Sequence, residues 1–271
     1  MCTGQRSTAK PRPLGPGIPR RHLFAAIPVL GLGGLLAACA DPGPEAASGG
    51  GDRKTALVYR GPASCVGCSE SVGSILAQHP FSLRVVYCGP NEATPITAEH
   101  LEAATLYVQP GGGNDLALAW SQMRPFADVI RRWVHGGGHY LGICLGGYLA
   151  GFDPGFGLLP GDSGEYITSP GATVHNIDDT TVTVDWRGVE HQLYFQDGPY
   201  FTLDRSGATV LATYSNGLTA AAVARYGSGS VGVVGPHPEA DESWYSAVGL
   251  PAPRDSTVGL ARDLIATTLS V

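Results

Sequence analysis

The stretch "HYLGICLGGYLAG", residues 139–151, decides the fold. Its first half is an apolar run of strand length, and its second half is small and apolar with helical spacing. Cys144 stands at the junction, with Gly142 two residues before it and Gly146 two residues after. A residue on a sharp strand-to-helix corner adopts a strained backbone, and its close neighbours must be small. Such a corner lifts the sulfur above the sheet and brings backbone amides to it, which stabilise a thiolate or a developing oxyanion. Taken alone, the same pattern also suits a small hydrophobe at a packed crossing. The rest of the chain separates the two readings.

Working outward, strands alternate with helices. "KTALVYR" (54–60), "FSLRVVYC" (81–88), "TLYVQ" (105–109) and "HYLGIC" (139–144) read as strands. Between them, "SESVGSILAQ" (69–78) has helical spacing at Val72, Ile75 and Leu76, and "TAEHLEAA" is helical with Thr97 as its N-cap. The pattern from Asp115 to Gly138 is a long helix broken near Pro125. This alternation implies an α/β fold, a parallel sheet covered on both faces. From about Gly157 the pattern changes. "GATVHNI", "TTVTVDW", "HQLYFQ" and "TVLATYS" read as strands of a largely antiparallel β extension, followed by "AAAVARYG" and "SVGVVG". Two helices, near Asp241 to Val248 and Ser256 to Leu269, close the chain.

Two further motifs stand at strand ends, where open α/β sheets place their sites. In "GPHPEA" (235–240), His237 and Glu239 are one residue apart, so on an extended segment both side chains point the same way. The carboxylate can then orient the imidazole while the imidazole takes a thiol proton. In "QPGGGND" (109–115), Gly112 and Gly113 can bring backbone N–H groups to one side of an oxyanion, with the Leu145 N–H on the other. No Gly-Lys-Ser/Thr follows, which disfavours a phosphate loop. "LYFQDGPYF" (193–201) is a strand and turn packing aromatics on the sheet, or a wall on which Gln196, Asp197 and Tyr200 face the Cys144 pocket and select substrate. Glu165 and Tyr166 fall in a Gly-rich loop that could form a lid. "NIDDTTVTVDW" lacks calcium-loop spacing and reads as a solvated turn.

The N-terminus reads as processing signals. Residues 1–38 hold Arg6, Lys10, Arg12, Arg20 and Arg21 and no acidic residue, then the apolar run "LFAAIPVLGLGGLLAA" (23–38). That run is short and Gly/Ala-rich for a membrane span, and fits a signal peptide. "LAAC" (36–39) resembles a bacterial lipobox, which implies lipidation of Cys39, and "RRHLF" resembles a twin-arginine signal. Residues 39–53 are a Pro/Gly/Ser/Ala tether. The expectation is export to the cell envelope, on the extracytoplasmic side, with membrane attachment through the lipid. Loss of the signal removes five of 17 basic residues and none of the 23 acidic ones, moving the net charge from −6 to −11. So acidic a mature chain is a poor nucleic-acid partner, and its folded domain is expected over residues 54–271. Cys65, Cys68, Cys88 and Cys144 remain in it. "CVGC" (65–68) has no second Cys or His pair nearby, so no metal site is expected. A structural disulfide within Cys65, Cys68 and Cys88 would leave Cys144 free.

"VYRGPAS", "LYVQPGGGN", "GGGHYLGICLGGYLAG", "LYFQDGPYF" and "GSVGVVGPHPEA" together resemble the class I glutamine amidotransferase-like superfamily, with Cys followed late in the chain by His-x-Glu. More narrowly the chain is similar to the N-terminal domain of fungal biotin–protein ligases and its stand-alone bacterial relatives. The resemblance implies a flavodoxin-like sheet sandwiched by helices, with Cys144 as nucleophile, His237 as base and Glu239 as its orienter, and no cofactor. No "GRGRRG"-type ligase segment occurs, so it does not imply biotin ligase activity, nor is a synthase domain attached. The function expected is a lipid-anchored Cys-His-Glu amidase acting on a small-molecule or peptide amide. The competing expectation is a non-catalytic envelope protein that keeps the triad to bind or sense a small ligand.

Overall fold

The computed structural model describes residues 54–204 and 206–271. The signal, lipobox and tether readings, including Cys39, lie outside the described residues. Among those residues no helix is long and apolar enough to cross a membrane.

Five parallel strands form one half of a single sheet: β1 (Thr55–Tyr59), β2 (Arg84–Cys88), β3 (Leu106–Gln109), β4 (His139–Ile143) and β11 (Gly229–Val234), in the order β2-β1-β3-β4-β11. The other half is antiparallel. β10 (Thr219–Tyr226), β9 (Ala208–Tyr214), β6 (Thr180–Trp186) and β7 (Val189–Phe195) continue outward from β11. β8 (Pro199–Leu203) pairs with both β10 and β5 (Gly161–Glu165), off the main path. The central strands β1, β3 and β11 are buried along their whole length, as their mostly apolar sequences favour.

Helices cover both faces. On one, α1 (Cys68–Ala77) and α7 (Val258–Ser270) bury Val72, Ile75, Leu76, Ala261, Leu264 and Ile265 against Val58, Val108 and Leu141. On the other, α2 (Ala98–Glu102), α3 (Leu116–Met123), α4 (Ala127–His135) and α5 (Leu145–Ala150) bury Leu101, Met123, Ile130, Val134 and Leu149 against Tyr107, Tyr140 and Val231. The helix expected from Asp115 divides as Pro125 dictates, into α3, a 3₁₀ turn over Arg124–Phe126, and α4. Thr97 caps α2 by accepting the His100 N–H at 3.3 Å. The remaining helix, α6 (Glu242–Ala247), lies between β11 and α7.

Two stretches differ from the sequence reading. "GATVHNI" forms no strand, although its residues alternate; Gly171 takes a left-handed φ of 75° after Pro170, and the segment pairs with no neighbour. "GDSGE" forms β5, although nothing in it is apolar, because its backbone is laddered to β8.

Candidate active site

Cys144, the Gly111–Gly113 loop and the His237–Glu239 segment leave the carboxyl ends of three adjacent strands, β4, β3 and β11. Cys144 is 5 % exposed and holds φ 48° and ψ −107°. That is a strained backbone for a residue with a side chain, of the kind that functional corners keep. The glycines around it show why small neighbours are needed. A Cβ at Gly142 would lie 2.3 Å from the Gly146 carbonyl oxygen, and one at Gly146 would lie 1.9 Å from that of Gln109. The corner is therefore pressed against the end of β3. Its backbone N–H donates to the Val234 carbonyl at 2.9 Å, which ties it to β11 as well. The thiol donates to the Gln196 carbonyl at 3.6 Å.

His237 is 4 % exposed and Glu239 is 2 % exposed, and His237 Nδ1 lies 2.8 Å from Glu239 Oε1. With Nδ1 so engaged, Nε2 is the ring nitrogen left for other chemistry. The His237 N–H donates to the Tyr194 carbonyl at 2.9 Å, and the ring packs against Tyr194 and Trp244. Thr257 donates to the intervening Pro238 carbonyl at 3.0 Å, anchoring the segment from the entry to α7. Burial pulls the imidazole down, but the Glu239 carboxylate and the neighbouring Cys144 sulfur more than offset that and raise it well above the ordinary histidine range. The site thus favours the protonated imidazole of His237. Glu239 Oε2 is buried without a hydrogen-bond partner, a feature that costs on the order of 1–3 kcal/mol.

The glycine loop divides its work. A Cβ at Gly111 would fall 2.5 Å from the His237 ring, and one at Gly112 would fall 2.2 Å from the Leu145 side chain, whereas Gly113 has open space. Gly112, Gly113 and Leu145 line a cleft of about 260 Å³ with Cys144. Gln196 and Asp197 line it too; Tyr200 does not, and packs instead over Gly164 on β5. Glu165 lines the cleft from the end of β5, but Tyr166, read with it as a lid, is fully buried and stacked on Tyr214 at 3.9 Å. A second groove of about 400 Å³ shares Gly112 and Gln196 with the first and has His237, Trp244 and Tyr194 in its lining.

Cys65 and Cys68 form a disulfide, and Cys88 is free and buried, its thiol pushed up to about 12 by burial first and by Glu92 second. The disulfide lies beside the site: the Cys65 N–H donates to the Gly111 carbonyl at 2.9 Å, and Cys68 Sγ borders the space a Gly111 Cβ would need. Sequence reasoning missed Gly111, Tyr148, Asp153 and Asp162 as site residues. Tyr148, in the elbow helix, reads as packing in "LGGYLAG", and the only signal for Gly111 is that it precedes two other glycines.

Comparison with known proteins agrees with this architecture. Residues 55–157 match the family model described as biotin-protein ligase, N terminal. The imidazole glycerol phosphate synthase subunit HisH of Synechocystis sp. is 28% identical over 153 residues, covering 51% of this chain and 73% of that protein. Among solved structures, a glutamine amidotransferase superposes with a TM-score of 0.53 at 17% identity, over 79% of this chain and 99% of the other. A Thermoplasma acidophilum protein assigned to GMP synthase gives 0.51 at 11% identity, over 80% and 96%. Likenesses this distant speak to fold alone.

Proposed function

We propose that the protein, whose residues 55–157 match the family model described as biotin-protein ligase, N terminal, is a cysteine amidohydrolase that cleaves a C–N amide bond through a thioester. The observation that carries the reading is the buried His237–Glu239 pair, 2.8 Å apart, beside a cysteine held at φ 48°.

In the proposed reaction the Cys144 sulfur attacks the amide carbon while the carbonyl oxygen becomes an oxyanion. The Leu145 N–H and the amides of Gly112 and Gly113 hold that oxygen. A donor of this kind is worth about 2.7–4 kcal/mol at the transition state. His237 gives its proton to the leaving amine as the C–N bond breaks, which leaves an acyl thioester on Cys144. Water then attacks the thioester carbon, His237 takes the water's proton, and the C–S bond breaks to return the thiolate and release a carboxylic acid. Glu239 keeps the imidazole oriented throughout. α5 is only six residues long, so local amides rather than a helix dipole act on the sulfur. The chemistry needs no synthase, since water is the acceptor.

The N-terminal sequence supports the rest of the reading: an exported protein, lipidated at Cys39, with its domain tethered outside the cytoplasmic membrane. Iodoacetamide should label Cys144 in preference to Cys88, as located by peptide mass mapping. Cys144→Ala should lower hydrolysis of any amide that the wild type turns over by at least about a thousandfold, as loss of a nucleophile does. Wild-type turnover that survives in Cys144→Ala would sink the proposal.

A further inference from the structure

The second groove adjoins the Cys144 cleft on the side of His237. Gly112 and Gln196 line both spaces, whereas Cys144 lines only the first and His237 only the second. The two differ in charge. Asp153, Asp162, Glu165 and Asp197 line the first, but no carboxylate, lysine or arginine is among the residues lining the second. Its walls are apolar: Tyr194 beside His237, Val66 on the loop after β1, and Trp244 and Val248 on and just after α6. Both outer walls are fixed. Val66 stands between the two cysteines of the Cys65–Cys68 disulfide. The Trp244 indole N–H donates to the Ser71 hydroxyl on α1 at 3.2 Å, and its ring centroid lies 5.2 Å from that of His237. Val66 and Val248 are exposed, so neither is spent on the core. Exposed apolar residues scattered singly need no explanation, but these share one groove with a half-buried tryptophan and the proposed acid.

Position in the reaction decides what such a groove takes. In the proposed cleavage the acyl carbon bonds to Cys144, and the nitrogen leaves toward the group that protonates it, His237. Whatever the nitrogen carries therefore projects to the His237 side. Resting on that reading of Cys144 and His237, we propose that the substrate is an N-substituted amide, R–CO–NH–R′, whose R′ is an uncharged apolar group of aromatic size seated between Val66 and Trp244. The electron pair of the C–N bond stays on nitrogen, the His237 proton completes it, and a primary amine R′–NH2 leaves while the acyl group remains on Cys144 as a thioester. Ammonia, the amine lost from a primary amide, is the size of a water molecule and does not fill a space of about 400 Å³, which lies within the range of ligand pockets. A charged R′ gains little there. His237 is the one titratable cation among the lining residues, and Glu239 already pairs with it. Desolvating a charge without a partner is costly, whereas tryptophan and tyrosine give an apolar R′ a large and rigid contact surface.

Three reagents that differ only on nitrogen test the assignment: iodoacetamide, N-benzyliodoacetamide and N-(carboxymethyl)iodoacetamide. Each alkylates Cys144 by forming a C–S bond as iodide leaves, and each rate is divided by that reagent's rate with 2-mercaptoethanol. On that scale the N-benzyl reagent should label Cys144 at least about tenfold faster than either of the others, as burial of an aromatic ring warrants. Trp244→Ala, and independently Val66→Ser at a position outside the core, should each shrink that preference several-fold. No preference for the N-benzyl reagent, or a preference that both variants leave intact, overturns the groove assignment while leaving the cysteine chemistry standing. Failure of all three reagents to label Cys144 in the folded protein overturns both.

Discussion

Asp197 shows how one residue trades stability for a poised charge. It occupies a left-handed backbone position, φ 49°, at the turn between β7 and β8, where a residue with a side chain costs on the order of 1–2 kcal/mol. The adjacent Gly198 is locked in place, since a Cβ there would meet the Gly235 carbonyl oxygen at 2.2 Å. The Asp197 carboxyl is raised from the usual 3.8 to about 6, so between those values the folded state binds more protons than the unfolded one. The contribution of this group to stability is therefore full below about pH 4 and is lost as pH rises through about 6. Asp197→Asn removes that dependence. Its Tm relative to wild type should be higher at about pH 7.5 than at about pH 4, as thermal melts across that range would show. An unchanged difference would mean that Asp197 is solvated like any surface carboxylate. At this scale the sequence was informative where chemistry fixes spacing. Cys144 needs Gly142 and Gly146 because the corner crosses β3, whereas His237 and Glu239 meet through a turn, closed by the Ala240 N–H donating to the His237 carbonyl at 3.3 Å, and not on the extended segment expected. It was silent on Tyr148 and Gly111, whose importance comes from partners distant in the chain.

At the scale of elements, the loop after β1 is the piece that braces the site from outside. The Cys65–Cys68 disulfide closes a loop of only a few residues, so its removal should cost about 2 kcal/mol of global stability by loop entropy. The larger effect should be local. Cys65 holds the Gly111 carbonyl, and Gly111 is packed on the His237 ring. A Cys65→Ser, Cys68→Ser double variant should melt only slightly lower, yet exchange the amides of residues 111–114 at least several-fold faster by mass-detected hydrogen exchange. Unaltered exchange there would mean that the glycine loop is held by β3 and α3 alone. The elements themselves were legible wherever a strand is buried on both faces and reads as an apolar run. β5 was not, because "GDSGE" has no apolar signal and exists through its ladder to β8. "GATVHNI" misled in the opposite sense: alternation describes a surface that could be half-buried, and only a partner strand makes it a strand.

For the whole molecule, what the sequence could not convey is the order of the sheet. Alternating strands and helices announced the parallel half, and the run of short strands announced the antiparallel one. Nothing local indicates that β11 lies between β4 and β10. His139 and Ser230, paired across that junction, are 91 residues apart in the chain. A chain ending at Tyr226 lacks β11, and should keep far-UV helical signal while losing native near-UV dichroism. Native-like near-UV signal in that variant would show that the parallel half folds without its last strand. Contacts of such sequence separation also make folding slow.

The late position of β11 has a further consequence for how the molecule comes into being. During synthesis, Cys144 leaves the ribosome well before the strand that carries His237 and supplies the Val234 carbonyl on which the cysteine corner rests. Until then the edge of β4 is an open template for pairing, and the sulfur lacks the imidazole of His237 beside it. The nascent chain is thus without a base at that cysteine and without a partner at that edge. Both conditions end in a single event, when the last strand of the chain joins β4 to β10.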